Sequence, residues 1–164
     1  MATQSQDLGG PLKATIERRD SGSTITLAGY INDGTDLTEL TRVPGPLRVD
    51  LAGVERINSV GVKTWVHFVR DLERAGTQLT CERCSPVIVQ QISMISNFMG
   101  TRTHVKSLYV VYACPTCNAE RLELVELTPG VPVTVAGFLP CPKCKATMQL
   151  DEVEQMYTKL FEKR

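Results

Sequence analysis

Cys114-Pro115-Thr116-Cys117 and Cys141-Pro142-Lys143-Cys144 constrain this chain more than any other feature. Each motif sets two thiols on one tight turn, and the segment between them, 118–140, is too short to build a core of its own. Two such knuckles brought together offer four sulfur ligands to one ion. Four thiolates fill a tetrahedral shell and leave no position for water or substrate, so a metal held this way is structural, not catalytic. Zinc is the expected ion, and a zinc ribbon over 113–150 is the expected module. The same residues also suit a rubredoxin-type iron centre, two disulfides, two redox pairs or reduced thiols with no ligand. A chain without a secretion signal is expected to keep its thiols reduced, and that favours metal.

The rest of the composition bounds the answer from outside. The chain has 164 residues, 18 basic against 18 acidic, and 42% hydrophobic content, which fits a globular protein and is far from the signature of disorder. No apolar run approaches the ~18 residues that cross a bilayer, and Met1–Gly10 has neither the basic flank nor the apolar stretch of a signal peptide. A cytoplasmic protein with no membrane insertion is therefore expected. Zero net charge gives little support to a nucleic-acid carrier.

Periodicity divides the chain into a polar, flexible lead at 1–11, a first domain at 12–112, the ribbon, and a terminal helix at 151–164. Alternation in Ala14-Thr15-Ile16 and Thr24-Ile25-Thr26-Leu27, with Asp20-Ser21-Gly22 between them, predicts a hairpin. A short helix is expected over Asp36–Leu40 and a strand over Leu47–Leu51. Between Ser59 and Arg74, Val62, Trp65, Val66, Val69 and Leu72 recur at three and four, with Phe68 at the margin, so a surface helix covers a sheet here. Gly76 ends it. A strand at Gln78–Cys81 follows, then a helix capped by Ser85 with Pro86 at its first position and a stripe of Val89, Ile92, Ile95 and Met99. Val105–Tyr112 reads as the last strand of the domain. In the ribbon, Arg121–Val125 and Val131–Val135 are the expected strands. Val153, Met156, Tyr157, Leu160 and Phe161 give the terminal helix an apolar stripe that would cover the ribbon or the first domain.

Leu47 through Val62, an amphipathic helix, the Gly76 break, a strand and Ser85-Pro86 together resemble the STAS domain of bacterial anti-sigma-factor antagonists. Ile25–Ile31 is similar to the early strand of that family. The resemblance covers 12–112 and implies an α/β fold, a mixed sheet with helices packed mainly on one side. It implies a non-enzymatic protein-binding adaptor in bacterial signalling or transcriptional control. Its partner would be a kinase-like anti-sigma factor or another STAS protein, and self-association is compatible with it. In that family the strand-to-helix loop carries an Asp-Ser-Ser/Thr-Gly motif whose hydroxyl before the glycine is phosphorylated. The matching positions are Asn58, Ser59, Val60 and Gly61. The acidic residue is an amide here, and the acceptor position is a valine that cannot take phosphate. The departure favours a constitutive surface over a switch, with Asn58, Ser59, Val60, Gly61 and Lys63 as the partner-binding residues. Asn58 and Ser59 also suit helix capping, and Ser59 is a hydroxyl one place from the usual acceptor.

Other chemistry is weakly supported. Cys81-Glu82-Arg83-Cys84 is a third CxxC motif, read as buried structural cysteine ahead of a second metal site, a disulfide or a thiol enzyme. His67 and His104 lack convergent carboxylates or thiols, and no phosphate-cradling glycine run is present. Lys143 and Lys145 beside the second knuckle carry the alternative reading, a nucleic-acid-binding regulator acting through the ribbon. Glu120, Glu123 and Glu126 on the same module oppose it, and Phe138 is the single aromatic between the knuckles.

Overall fold

A computed structural model describes residues 2–151 of the chain, so all of the expected terminal helix except Asp151 lies outside the described residues. The fold is mixed α/β. Six strands form the first sheet: β1 (Ala2–Asp7), β2 (Lys13–Arg19), β3 (Gly22–Ile31), β4 (Leu47–Ile57), β5 (Leu79–Glu82) and β6 (His104–Val105), in that spatial order. The first three run antiparallel and the remaining pairings are parallel. Each parallel step needs a crossover. These crossovers hold a 3-10 helix (Thr38–Arg42), α1 (Ser59–Arg74) and α2 (Pro86–Met94).

One cross-strand row explains why the sheet has a single apolar face. Ile16 pairs with Ile25, Ile25 with Val49, Val49 with Cys81 and Cys81 with Val105, and all five are buried. Because successive side chains alternate, Thr24, Thr26, Arg48, Thr80 and Glu82 fall on the other face. Trp65, Phe68, Val69 and Leu72 of α1, and Ile88 and Val89 of α2, close over the apolar face. Phe68, placed at the margin by periodicity, is buried, whereas Val62 and Val66 are only partly so. Trp65 stacks on Phe98, whose centroid lies 5.9 Å away in the loop after α2.

The polar lead is a correction. Ala2–Asp7 is an edge strand paired residue for residue with β2, and nearly all its side chains are exposed. Backbone pairing at a sheet edge needs no apolar side chain, so the polar composition concealed it. Val131–Val135 is a second correction, since it forms no strand. Pro132 lacks the N–H a ladder requires.

The expected last strand divides in two. His104–Val105 stays in the first sheet, and β7 (Ser107–Ala113) founds a second with β8 (Glu120–Glu126), β9 (Phe138–Pro140) and β10 (Thr147–Leu150), in the order β8-β7-β10-β9. An alternating strand announces a buried face but not which sheet it joins. The sheets remain tied: Cys84 N–H donates to the Ser107 carbonyl at 3.1 Å, and Tyr109 N–H donates to the Cys84 carbonyl at 2.9 Å. Helix α2 packs on both β4 and β7, so Leu108, Val110 and Tyr112 share its core. No helix among the described residues is long and apolar enough to cross a membrane.

Candidate metal centre and protein-binding surface

Both knuckles sit at one end of the second sheet. The first joins β7 to β8 and the second joins β9 to β10, and the antiparallel pairing of β10 with β7 sets them side by side. They repeat each other bond for bond. Cys114 N–H donates to the Ala119 carbonyl (2.9 Å), and Asn118 N–H donates to the Cys114 carbonyl (2.9 Å). The second knuckle matches with Cys141 to Ala146 (2.7 Å) and Lys145 to Cys141 (3.0 Å). Asn118 and Lys145 both take left-handed backbone, with φ of 55° and 66°. Asparagine tolerates that region, whereas lysine there is strained and is held by its turn.

The four sulfurs converge. Cys114 and Cys144 Sγ are 3.5 Å apart, Cys117 and Cys141 Sγ 3.7 Å, and all four lie within 4.8 Å of one another. These separations are far beyond a disulfide bond of about 2.05 Å. They approach the ~3.8 Å edges of a tetrahedron with metal–sulfur bonds of ~2.3 Å. The cysteines are thus positioned to hold a metal ion, and among the described residues no His, Asp or Glu joins the group. Cys114 and Cys141 are buried and Cys144 is exposed.

The turns also prepare the thiols for ionisation. The backbone N–H of Cys117 lowers the Cys114 thiol below its ordinary value, against an opposing effect of burial. In the matching place, the N–H of Cys144 brings Cys141 down to about 6. At Cys144 the Ala146 N–H also pulls downward, but desolvation and the other three thiols prevail and push it up to about 12. Four thiolates repel one another at this range, and a divalent cation is the charge that lets them coexist.

The third CxxC motif stands apart. Cys81 lies in the apolar row of the first sheet, and burial, then Cys84 and Glu82, raise its thiol well above the usual range. Such a thiol is a poor nucleophile. Between the two cysteines, Arg83 (φ 49°) turns outward and donates from Nε to Asp50 Oδ2 at 2.9 Å.

The expected partner-binding residues surround the start of α1. Asn58 is the N-cap, its Oδ1 accepting from Gly61 N–H at 2.8 Å while its Nδ2 reaches Asp33 Oδ1 at 3.5 Å. Ser59, Val60 and Lys63 are exposed. Gly61 is buried against the end of β3, where an added Cβ would meet the Ile31 carbonyl oxygen at 2.2 Å. Its part is therefore to let α1 approach the sheet. Further along α1, Thr64, His67 and Asp71 line a polar pocket with Asp36 and Thr38. Asp71 follows His67 by one helical turn, but Asp36 and Thr38 arrive from a distant segment, so sequence reasoning did not assemble this pocket.

No protein-family model matches the chain, and no curated protein matches it in sequence.

Proposed function

We propose that this protein is a non-enzymatic adaptor that binds a partner protein in bacterial signalling or transcriptional control, through Asn58, Ser59, Val60 and Lys63. The observation that carries the reading is Val60, a branched apolar side chain left 47% exposed on the first turn of α1. Asn58 caps that turn and Gly61 seats it on β3, so the presented surface is rigid before any partner arrives. Preorganisation of this kind limits the ordering cost of association. The STAS resemblance supports the same surface and a kinase-like anti-sigma factor or another STAS protein as the partner. A valine at the phosphoacceptor position makes the surface constitutive.

The ion in the second sheet is zinc in this proposal. Four thiolates on CPxC turns are the donor set zinc takes in closed structural sites, and the ion's role is to staple β7–β8 to β9–β10. Lys143 and Lys145 are exposed at the rim of the second knuckle, which keeps a nucleic-acid reading distinct. That reading requires salt-dependent binding weakened by their loss.

The test is an affinity pull-down from bacterial cytosol with metal-loaded protein, with Val60→Glu as the matched control. A regulator retained by wild type and lost by the variant supports the adaptor. Equal capture by both removes the α1 surface from the account, and capture dominated by nucleic acid moves function to the ribbon.

A further inference from the structure

The two faces of the second sheet differ in what covers them. Leu108, Val110, Tyr112 and Met148 turn into the core shared with α2. On the other face Tyr109 pairs with Leu124 and Val111 with Leu122, while Gln149 links Ala113 to Phe138. Leu122, Leu124 and Phe138 are 51%, 42% and 66% exposed. Three large apolar side chains on one side of a small sheet form a patch, unlike single surface leucines that need no account.

The chain itself leaves the sheet beside this patch. Asp151 N–H donates to the Val111 carbonyl at 2.9 Å, and Val111 is the cross-strand neighbour of Leu122. Residues 152–164 follow, with Val153, Met156, Tyr157 and Leu160 at the spacing of a helical stripe. At the ~1.5 Å rise per residue that this period implies, the segment spans about 20 Å. Four strands at a spacing of ~4.8 Å are about 14 Å across, so the segment is long enough to cross them. Charge agrees with that path. The far rim carries exposed Glu120 and Glu126 on β8, and the end of the segment carries Lys159, Lys163 and Arg164 against one acid, Glu162.

We infer that residues 152–164 dock on the outer face of the second sheet of their own chain. Met156, Tyr157 and Leu160 cover Leu122, Leu124 and Phe138, and the basic end lies against the acidic rim of β8. The inference is independent of the α1 surface and of which metal the cysteines hold.

The experiment is methyl NMR on full-length, metal-loaded protein, reading nuclear Overhauser contacts from the Leu122 and Leu124 methyls to the Tyr157 ring. The expected result is contacts within one chain that persist when labelled protein is diluted with unlabelled protein and vanish in Met156→Glu/Leu160→Glu. Contacts found only between differently labelled chains would overturn it in favour of a second copy. Absence of any contact in the wild-type protein would overturn it as well, whatever the variant does.

Discussion

A methyl group at Gly61 and a carboxylate at Val60 should act in opposite ways, although the two residues are neighbours. Gly61→Ala places a Cβ 2.2 Å from the Ile31 carbonyl oxygen, so α1 must shift off β3. A helix gains up to ~1 kcal/mol when alanine replaces glycine, but a clash with backbone typically costs ~1–3 kcal/mol, and the clash wins. Urea unfolding should show a lower midpoint. Val60→Glu sits in the first helical turn, where a negative charge contributes ~0.3–1 kcal/mol through the helix dipole. Its midpoint should stay level or rise while partner capture is lost. Protons supply a second residue-scale prediction. The Cys141 thiol is depressed to about 6 by the Cys144 N–H, so its contribution is present above the unfolded thiol value and is lost as pH falls through about 6. Metal binding requires thiolates and runs in the same direction. Release of the ion to a chromogenic chelator should therefore increase as pH falls.

At the scale of elements, Cys81 belongs to the row Ile16, Ile25, Val49, Val105 and behaves as an apolar side chain. Native protein should resist thiol alkylation at Cys81 at neutral pH, and labelling there should appear only with global unfolding; rapid native labelling would contradict its place in the core. This row was legible because apolar and polar residues alternate through Ala14–Ile16, Thr24–Leu27 and Leu47–Leu51, and α1 was legible because Asn58, its apolar period and Gly76 all agree. The grouping of Cys114, Cys117, Cys141 and Cys144 was legible from spacing alone. What stayed hidden depends on tertiary partners. Edge strand β1 gains from backbone pairing, not from side chains, and Val105–Tyr112 reads as one strand because alternation does not name the sheet a strand joins. Phe98 lies in a loop, so no period marked it as the residue that stacks on Trp65. The clamp on that loop was equally invisible: Glu73 Oε1 accepts from Thr101 and Arg102 N–H at 2.6 and 2.7 Å.

At the scale of the whole molecule, the two sheets are unequal in what holds them. The first has a continuous core under α1 and α2, whereas β8, β9 and β10 add little buried apolar surface beyond Leu127, Met148 and the knuckle cysteines. Tyr112 helps by donating from its hydroxyl to the Ala136 carbonyl, and an ion held by the four cysteines would crosslink the two halves of this small sheet. Stripping the metal should raise hydrogen exchange in β9 and β10 and leave Trp65 fluorescence and exchange in β3 and β4 near their native values. Loss of both together would mean that the sheets unfold as one unit.

The claim beneath this picture is a closed tetrathiolate centre formed by Cys114, Cys117, Cys141 and Cys144. X-ray absorption at the zinc edge, on protein loaded with one equivalent of the ion, tests it most directly. The account predicts four sulfur neighbours at about 2.3 Å and no light atom in the first shell. Nitrogen or oxygen neighbours in that shell, or fewer than four sulfurs, would contradict it.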